Sequence, residues 1–181
     1  MESDNNLPNK DRQAKLIKAI EQGSDEVILS MLIDLKEHGE TFYLETLMEM
    51  VIGNRSDILK KAIVEFISNV KVNAAAPIIA NFIQKNKTNN NIITLVTASW
   101  QSILDFSKHL NPFFDILIES DYGCSFEAFT VIENNISELT TEELSYYDAQ
   151  LKLGISKANQ DKEPLLLEMA SLLDETKRAA E

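Results

Sequence analysis

Apolar residues recur along this chain at steps of three and four, in short runs broken by glycine, proline or a Ser-Asp pair. Val27, Ile28, Met31, Leu32 and Leu35 form one stripe. Tyr43, Leu44, Leu47, Met48 and Val51 form the next, and Leu59, Ala62, Ile63, Phe66, Ile67 and Val70 a third. Such spacing lines one side of a 3.6-residue helix and fits no strand alternation. The punctuation then predicts the ends. Asp11 to Gln22 is a helix stopped by Gly23. Ser24 and Asp25 cap one running to His38, with Gly39 as its stop. Thr41 opens a third that ends at Gly53, and Ser56 with Asp57 opens a fourth.

The second half reads the same way. Pro77 suits the first turn of a helix through Ile79, Phe82 and Ile83, because a first-turn N–H has no helical partner to lose. Lys87 to Asn91 is a loop, and Ile92 to about Ser107 a long helix centred on Trp100. Asn111-Pro112 opens Phe113 to Glu119, Gly123 breaks it, and Ser125 caps Phe126 to Ile136. Thr141 to Asn159 and Glu163 to Ala180 follow, the last with Pro164 in its first turn. The pattern predicts an all-α chain of about ten helices: a lead-in over 1–10 without structure, then one domain over 11–181.

Short helices in pairs invite a search for an internal period. Ala62 to Val70 aligns with Ala128 to Ile136, matching the small residue, the bulky residue four later, an Asn and the closing aliphatic. Val96 to Leu104 places Trp100 in the Phe66 slot, and Ile28 to Lys36 places Leu32 there. The anchors Leu32, Phe66, Trp100 and Ile132 are thus spaced 34, 34 and 32 residues apart. They predict repeats over about 24–55, 56–90, 91–123 and 124–140, with capping helices over 141–181. One helix pair cannot bury both its apolar faces, so neighbouring pairs must stack and share a core.

Ile58 to Ile67, followed by Ala74-Ala75-Ala76-Pro77-Ile78-Ile79-Ala80-Asn81-Phe82-Ile83, resembles the short HEAT-like repeat. The likeness is best over 56–86, weaker over 24–54 and 91–136, and absent after about 140. Val70-Lys71-Val72-Asn73 stands where many members carry a Gly-Asp-Pro-like turn, and the Asp and Arg that often form a ladder between repeats are missing. The resemblance implies a right-handed α-α superhelix of antiparallel helices whose second helices line a face for another macromolecule. On that geometry the contact residues are Glu45 and Glu49, then Asn81 and Lys85, then Asp115 and Glu119. It carries over no catalytic residue.

Composition narrows the partners. Of 181 residues, 17 are Lys or Arg and 29 Asp or Glu, a formal charge of −12. That opposes a nucleic-acid backbone or an anionic membrane as the main partner. Residues 1–90 sum to −2 and 91–181 to −10, and from His109 to Leu151 nine acids occur without a Lys or Arg. Those nine cannot all pair locally, and a protein with a basic surface is the expected partner. The polar, acidic N-terminal stretch has neither a basic nor an apolar leader region, and no run reaches the roughly 20 apolar residues of a bilayer span. A cytoplasmic, reducing setting is the expectation.

Candidate chemistry is sparse. Cys124 is the one cysteine, which excludes an internal disulfide and a multi-thiolate zinc site. It is expected to be a small buried hydrophobe rather than a nucleophile paired with His109. His38 and His109 each follow an aspartate by four residues (Asp34, Asp105), which suits a helix-end cation better than a metal needing three or four ligands. Trp100, Phe106, Phe113 and Phe114 read as core, and one of the adjacent Tyr146 and Tyr147 as exposed. No Gly-rich phosphate loop, Gly-x-Ser-x-Gly or His-Glu-x-x-His is present, so no cofactor or metal is expected. The leading expectation is a non-enzymatic protein-binding scaffold. A HEAT-like enzyme of the DNA-glycosylase or chromophore-lyase kind and a self-associating domain are the rivals.

Overall fold

The computed structural model describes residues 7–179, apart from the side chains of residues 7–9, Glu37 and His38. Every regular element in it is helical: α1 (Leu7–Gln22), α2 (Asp25–His38), α3 (Leu44–Ile52), α4 (Asp57–Ser68), α5 (Ala75–Asn86), α6 (Ile92–Gln101), α7 (Asn111–Glu119), α8 (Tyr122–Asn135), α9 (Thr141–Ile155) and α10 (Glu163–Ala179). Short 3-10 turns at Ser107–His109 and Ile136–Glu138 precede α7 and α9.

The boundaries follow local chemistry. Ser24 and Ser56 accept from the Val27 and Leu59 amides as helix caps, and Gly39 closes α2 at φ 60, a conformation that favours glycine. Thr140 and Glu143 close a full capping box at the start of α9. Several boundaries differ from expectation, among them the end of α9, at Ile155 rather than Asn159, where the Ser156 and Lys157 amides already turn back on the Lys152 and Gly154 carbonyls. Helix α1 begins at Leu7 rather than Asp11, so part of the expected lead-in is helical. Helix α6 ends at Gln101 rather than near Ser107, because the Ser102 hydroxyl donates to the Ser99 carbonyl and accepts from the Leu104 amide, offering the backbone an alternative to another helical turn. Helix α8 begins at Tyr122 with Asp121 as its cap, so Gly123 lies inside its first turn. Ser125 is no cap: it is buried, and its hydroxyl donates to the Ile116 and Ser120 carbonyls.

Helices pack next-but-one. Helices α2, α4, α6 and α8 lie against one another in that order, as do α1, α3, α5, α7 and α9, and the two rows share one apolar core. Leu32, Phe66 and Ile132 are buried in it. Trp100 is not their equivalent. The core positions of α6 are Leu95, Val96, Ala98 and Ser99, while Trp100 sits half-buried at the α8 seam, its indole N–H donating to Glu127. The tryptophan keeps its polar handle satisfied there, which a wholly apolar slot does not allow.

Candidate functional site

The six residues expected at a contact surface all lie on the odd row, two each on α3, α5 and α7. Glu45, Glu49, Asn81, Lys85 and Glu119 are exposed and Asp115 is half-buried. The fold brings them together in two groups. Lys85 meets Glu45 at 3.6 Å across the α3–α5 seam. Asp115 and Glu119 are joined through a residue the sequence did not single out: Lys87, at the end of α5, lies 3.0 Å from Asp115 and 2.8 Å from Glu119. The hydrogen bonds it donates, first to Glu119 and then to Asp115, hold the Lys87 ammonium above the ordinary lysine range. Gln84 adds a bond to Asp115 at 2.9 Å.

Of the nine acids that were expected not all to pair locally, six have a partner among the described residues. Besides Asp115 and Glu119, Asp121 caps α8 through the Cys124 amide. Glu127 accepts from Thr97 and Trp100, Glu143 completes the α9 capping box, and Asp148 meets Lys152 at 2.7 Å. Glu133, Glu138 and Glu142 stand exposed outside these arrangements. The partners of Asp115, Glu119 and Glu127 are not legible in the run because they lie about thirty residues away from it.

Between α7 and α9 runs a groove of about 520 Å³. Its floor is Phe114 stacked on Tyr147 at 3.9 Å, with Ile118 and Gly154 beyond. Of the adjacent tyrosines, Tyr147 is buried and donates to Asn111 at 2.9 Å, while Tyr146 is 55% exposed at the rim. Burial, and next the Glu143 charge, push the Tyr147 hydroxyl up to about 12. Lys162 closes one end. It is only 7% exposed, and its ammonium donates to the Ile118 and Ser120 carbonyls at 2.6 and 2.7 Å. Loss of hydration lowers its pKa from the ordinary lysine value.

Lys162 belongs to a pattern that sequence reasoning missed. In the turn before α4, Arg55 donates to the Glu21 and Gly23 carbonyls at the end of α1 and pairs with Asp25 at 3.1 Å. In the turn before α6, Asn91 donates to the Ile52 carbonyl at the end of α3. Each satisfies helix-end carbonyls that have no partner within their own helix. The Arg55–Asp25 pair links α2 to the turn before α4.

The chemistry considered earlier is placed as follows. Cys124 is buried, and burial followed by the Asp121 charge pushes its thiol up to about 11, the reverse of what a nucleophilic thiolate needs. Asp105 lies outside α6, and hydrogen bonds from Ser107 hold its carboxyl below the ordinary range. Asp105 and His109 therefore share no helix face. The side chain of His38 lies outside the described residues. Among the described residues no three His, Cys, Asp or Glu side chains gather as a metal cluster, and no helix is long and apolar enough to cross a membrane. No protein-family model, curated protein or solved structure matches this chain.

Proposed function

We propose that this chain is a non-catalytic protein-binding module built as an α-solenoid of HEAT-like repeats. The observation that carries the reading is the next-but-one packing of the helices into two rows. Register supports it further. Asp25 meets Ser56 and Lys36 meets Glu65, so α2 and α4 run in one direction. Tyr147 meets Asn111 and Gly154 meets Ile118, so α7 and α9 do as well. Lys177, late in α10, reaches Ser145, early in α9, as antiparallel partners do. A right-handed superhelix is the arrangement this reading takes for the stack. Such stacks present extended, largely preformed surfaces, which suit a macromolecular partner better than a small substrate.

The partner surface proposed is the outward face of the odd row, through Glu45, Glu49, Asn81, Lys85, Asp115 and Glu119, and the partner a protein with a basic surface. The global charge of −12 favours that sign of partner through long-range attraction. A photo-crosslinking residue placed singly at Glu49, Asn81 or Glu119, and in a second set at Ile58 or Phe126 of the even row, tests it in the native host. One shared adduct from the first set alone is the expected result. Adducts only from the even row overturn the surface, and no adduct from either set overturns the binding role.

A further inference from the structure

We infer that the α7–α9 groove binds an extended segment of the partner's basic surface, taking a cationic side chain at Tyr146 and an apolar side chain three residues away from it at Leu153. This deepens the function proposed above and rests on it, since the groove lies on the same odd row. Its floor is closed, with Ile118 seated on Gly154 and Phe114 stacked on Tyr147, so the surface is preformed.

The first observation is a pair of anchors that the fold leaves in water. Tyr146 is 55% exposed and Leu153 60% exposed, and both line the groove. They stand seven residues apart on α9, about two turns, and so share one side of the helix roughly 10 Å apart. Leu153 is not used by the core, which α9 enters through Leu144, Tyr147 and Leu151. Tyr146 is held edge-to-face against Tyr147 at 5.3 Å, and Tyr147 is itself fixed by Phe114 and Asn111. A ring braced in this way has little freedom left to lose on binding.

The second observation is that charge is sorted between the two ends. Past Tyr146 the groove runs into a recess where Glu142 and Glu143 stand against Lys108. At the Leu153 end Lys157 and Lys162 stand against Glu119. A cation therefore belongs at the Tyr146 end, where it also meets the negative face of an aromatic ring. Formal charge of −12 on the whole chain favours the approach of such a segment.

The third observation is Gln150, exposed on the groove between the two anchors. Its amide donates and accepts at once, which suits the free N–H and C=O groups of an extended main chain and has no counterpart on the side of a helix. A polyproline-II segment rises about 3.1 Å per residue with three residues per turn, so side chains three apart project to one side about 9 Å from each other. That spacing matches the anchors.

A nitrogen-15 chemical-shift titration of the full chain tests the inference, with a proline-rich decapeptide carrying one Arg-x-x-Leu as the probe. Saturable shifts confined to α7 and α9 are the expected result. Tyr146→Ala and Leu153→Ala should each raise the dissociation constant about threefold or more, and Ile58→Ala on the even row should leave it unchanged. Both groove side chains are exposed, so these variants should melt as the wild type does. Shortening the spacing to Arg-x-Leu, or exchanging the arginine for glutamate, should weaken the peptide by a similar factor. No saturable shift, shifts centred elsewhere, equal binding of the glutamate peptide, or indifference to both groove variants overturns the inference. Crosslinking at Glu49, Asn81 and Glu119 reads the parent proposal separately. Adducts there without peptide binding leave the odd-row surface standing and remove the groove, whereas peptide binding without adducts keeps the groove and removes the wider surface.

Discussion

The two ends of the array are held by the same device made from different chemistry. At the amino end, Arg55 spreads a planar fork over the Glu21 and Gly23 carbonyls and keeps Asp25 as a counter-charge, with about a quarter of its side chain still in water. At the carboxyl end, Lys162 is almost wholly buried and its hydrogen bonds go to carbonyls alone. A guanidinium is weakly hydrated and matches several acceptors at once, whereas an ammonium is strongly hydrated and costs more to bury. The amino-terminal tie should therefore contribute net stability, and the carboxyl-terminal tie mainly position. Where no charge is used, at the α3–α6 crossing, Asn91 does the same work with a neutral amide.

The largest test of the comparison removes apolar packing rather than a tie. Leu166 in α10 and Ile28 in α2 are both fully buried, so alanine at either should cost about 2–5 kcal/mol in denaturant unfolding. Both residues belong to one shared core, so each variant should still unfold in a single step. Two steps for either would set that end apart from the rest.

Next in size is the amino-terminal tie itself. Arg55→Ala strips partners from two carbonyls and from Asp25, and should cost about 1–2 kcal/mol in chemical denaturation. Arg55→Lys should recover only part of this, because a point charge cannot span all three acceptors. Full recovery by lysine would mean that the fork geometry is irrelevant.

Acid offers a third way to tell the ends apart. Hydrogen bonds from Ser56, and next the Arg55 guanidinium, hold the Asp25 carboxyl below its ordinary value. A carboxyl whose folded pKa is depressed contributes stability above its unfolded pKa and loses it as pH falls through the folded one. The Lys162 tie contains no carboxylate side chain, its acceptors being main-chain carbonyls that do not titrate in that range. Between about pH 5 and pH 2, amide exchange near α1 and α2 should therefore accelerate before exchange near α10 once intrinsic rates are divided out. The reverse order would show that Asp25 is not what holds the amino end.

These ties also mark where sequence reading stopped. Helix number and most boundaries were legible because apolar periodicity and local caps such as Ser24 and Ser56 act within a few residues. The ties themselves were not legible. Arg, Asn and Lys share no identity, their acceptors are main-chain carbonyls that any residue supplies, and each spans roughly thirty residues or more. Trp100 was misplaced for a related reason, since its slot is set by Glu127 on the next helix rather than by its own repeat. Glu45 and Lys85 were both singled out through the geometry that the resemblance implies, and their pairing appears only once α3 and α5 are adjacent.

The smallest effect concerns Lys87, which sits between the two ends and bears directly on the acidic face. Asp115 and Glu119 lie four apart on α7, a spacing at which two like charges cost a few tenths of a kcal/mol, roughly. The Lys87 ammonium lies within 3.0 Å of both and offsets that repulsion. All three side chains are partly in water, so each pair should contribute no more than about 1 kcal/mol. A double-mutant cycle with Lys87→Met and Asp115→Asn should therefore give a coupling of a few tenths of a kcal/mol that shrinks with added salt. The Lys87→Met single mutant should lose slightly more than that, because it leaves two facing carboxylates without their cation. Replacing both Asp115 and Glu119 with lysine should cost more than either neutral change, since three ammonium groups then share the site. If that double lysine variant is instead as stable as the wild type, Lys87 does not hold the two carboxylates in solution, and their charge is free for a basic partner.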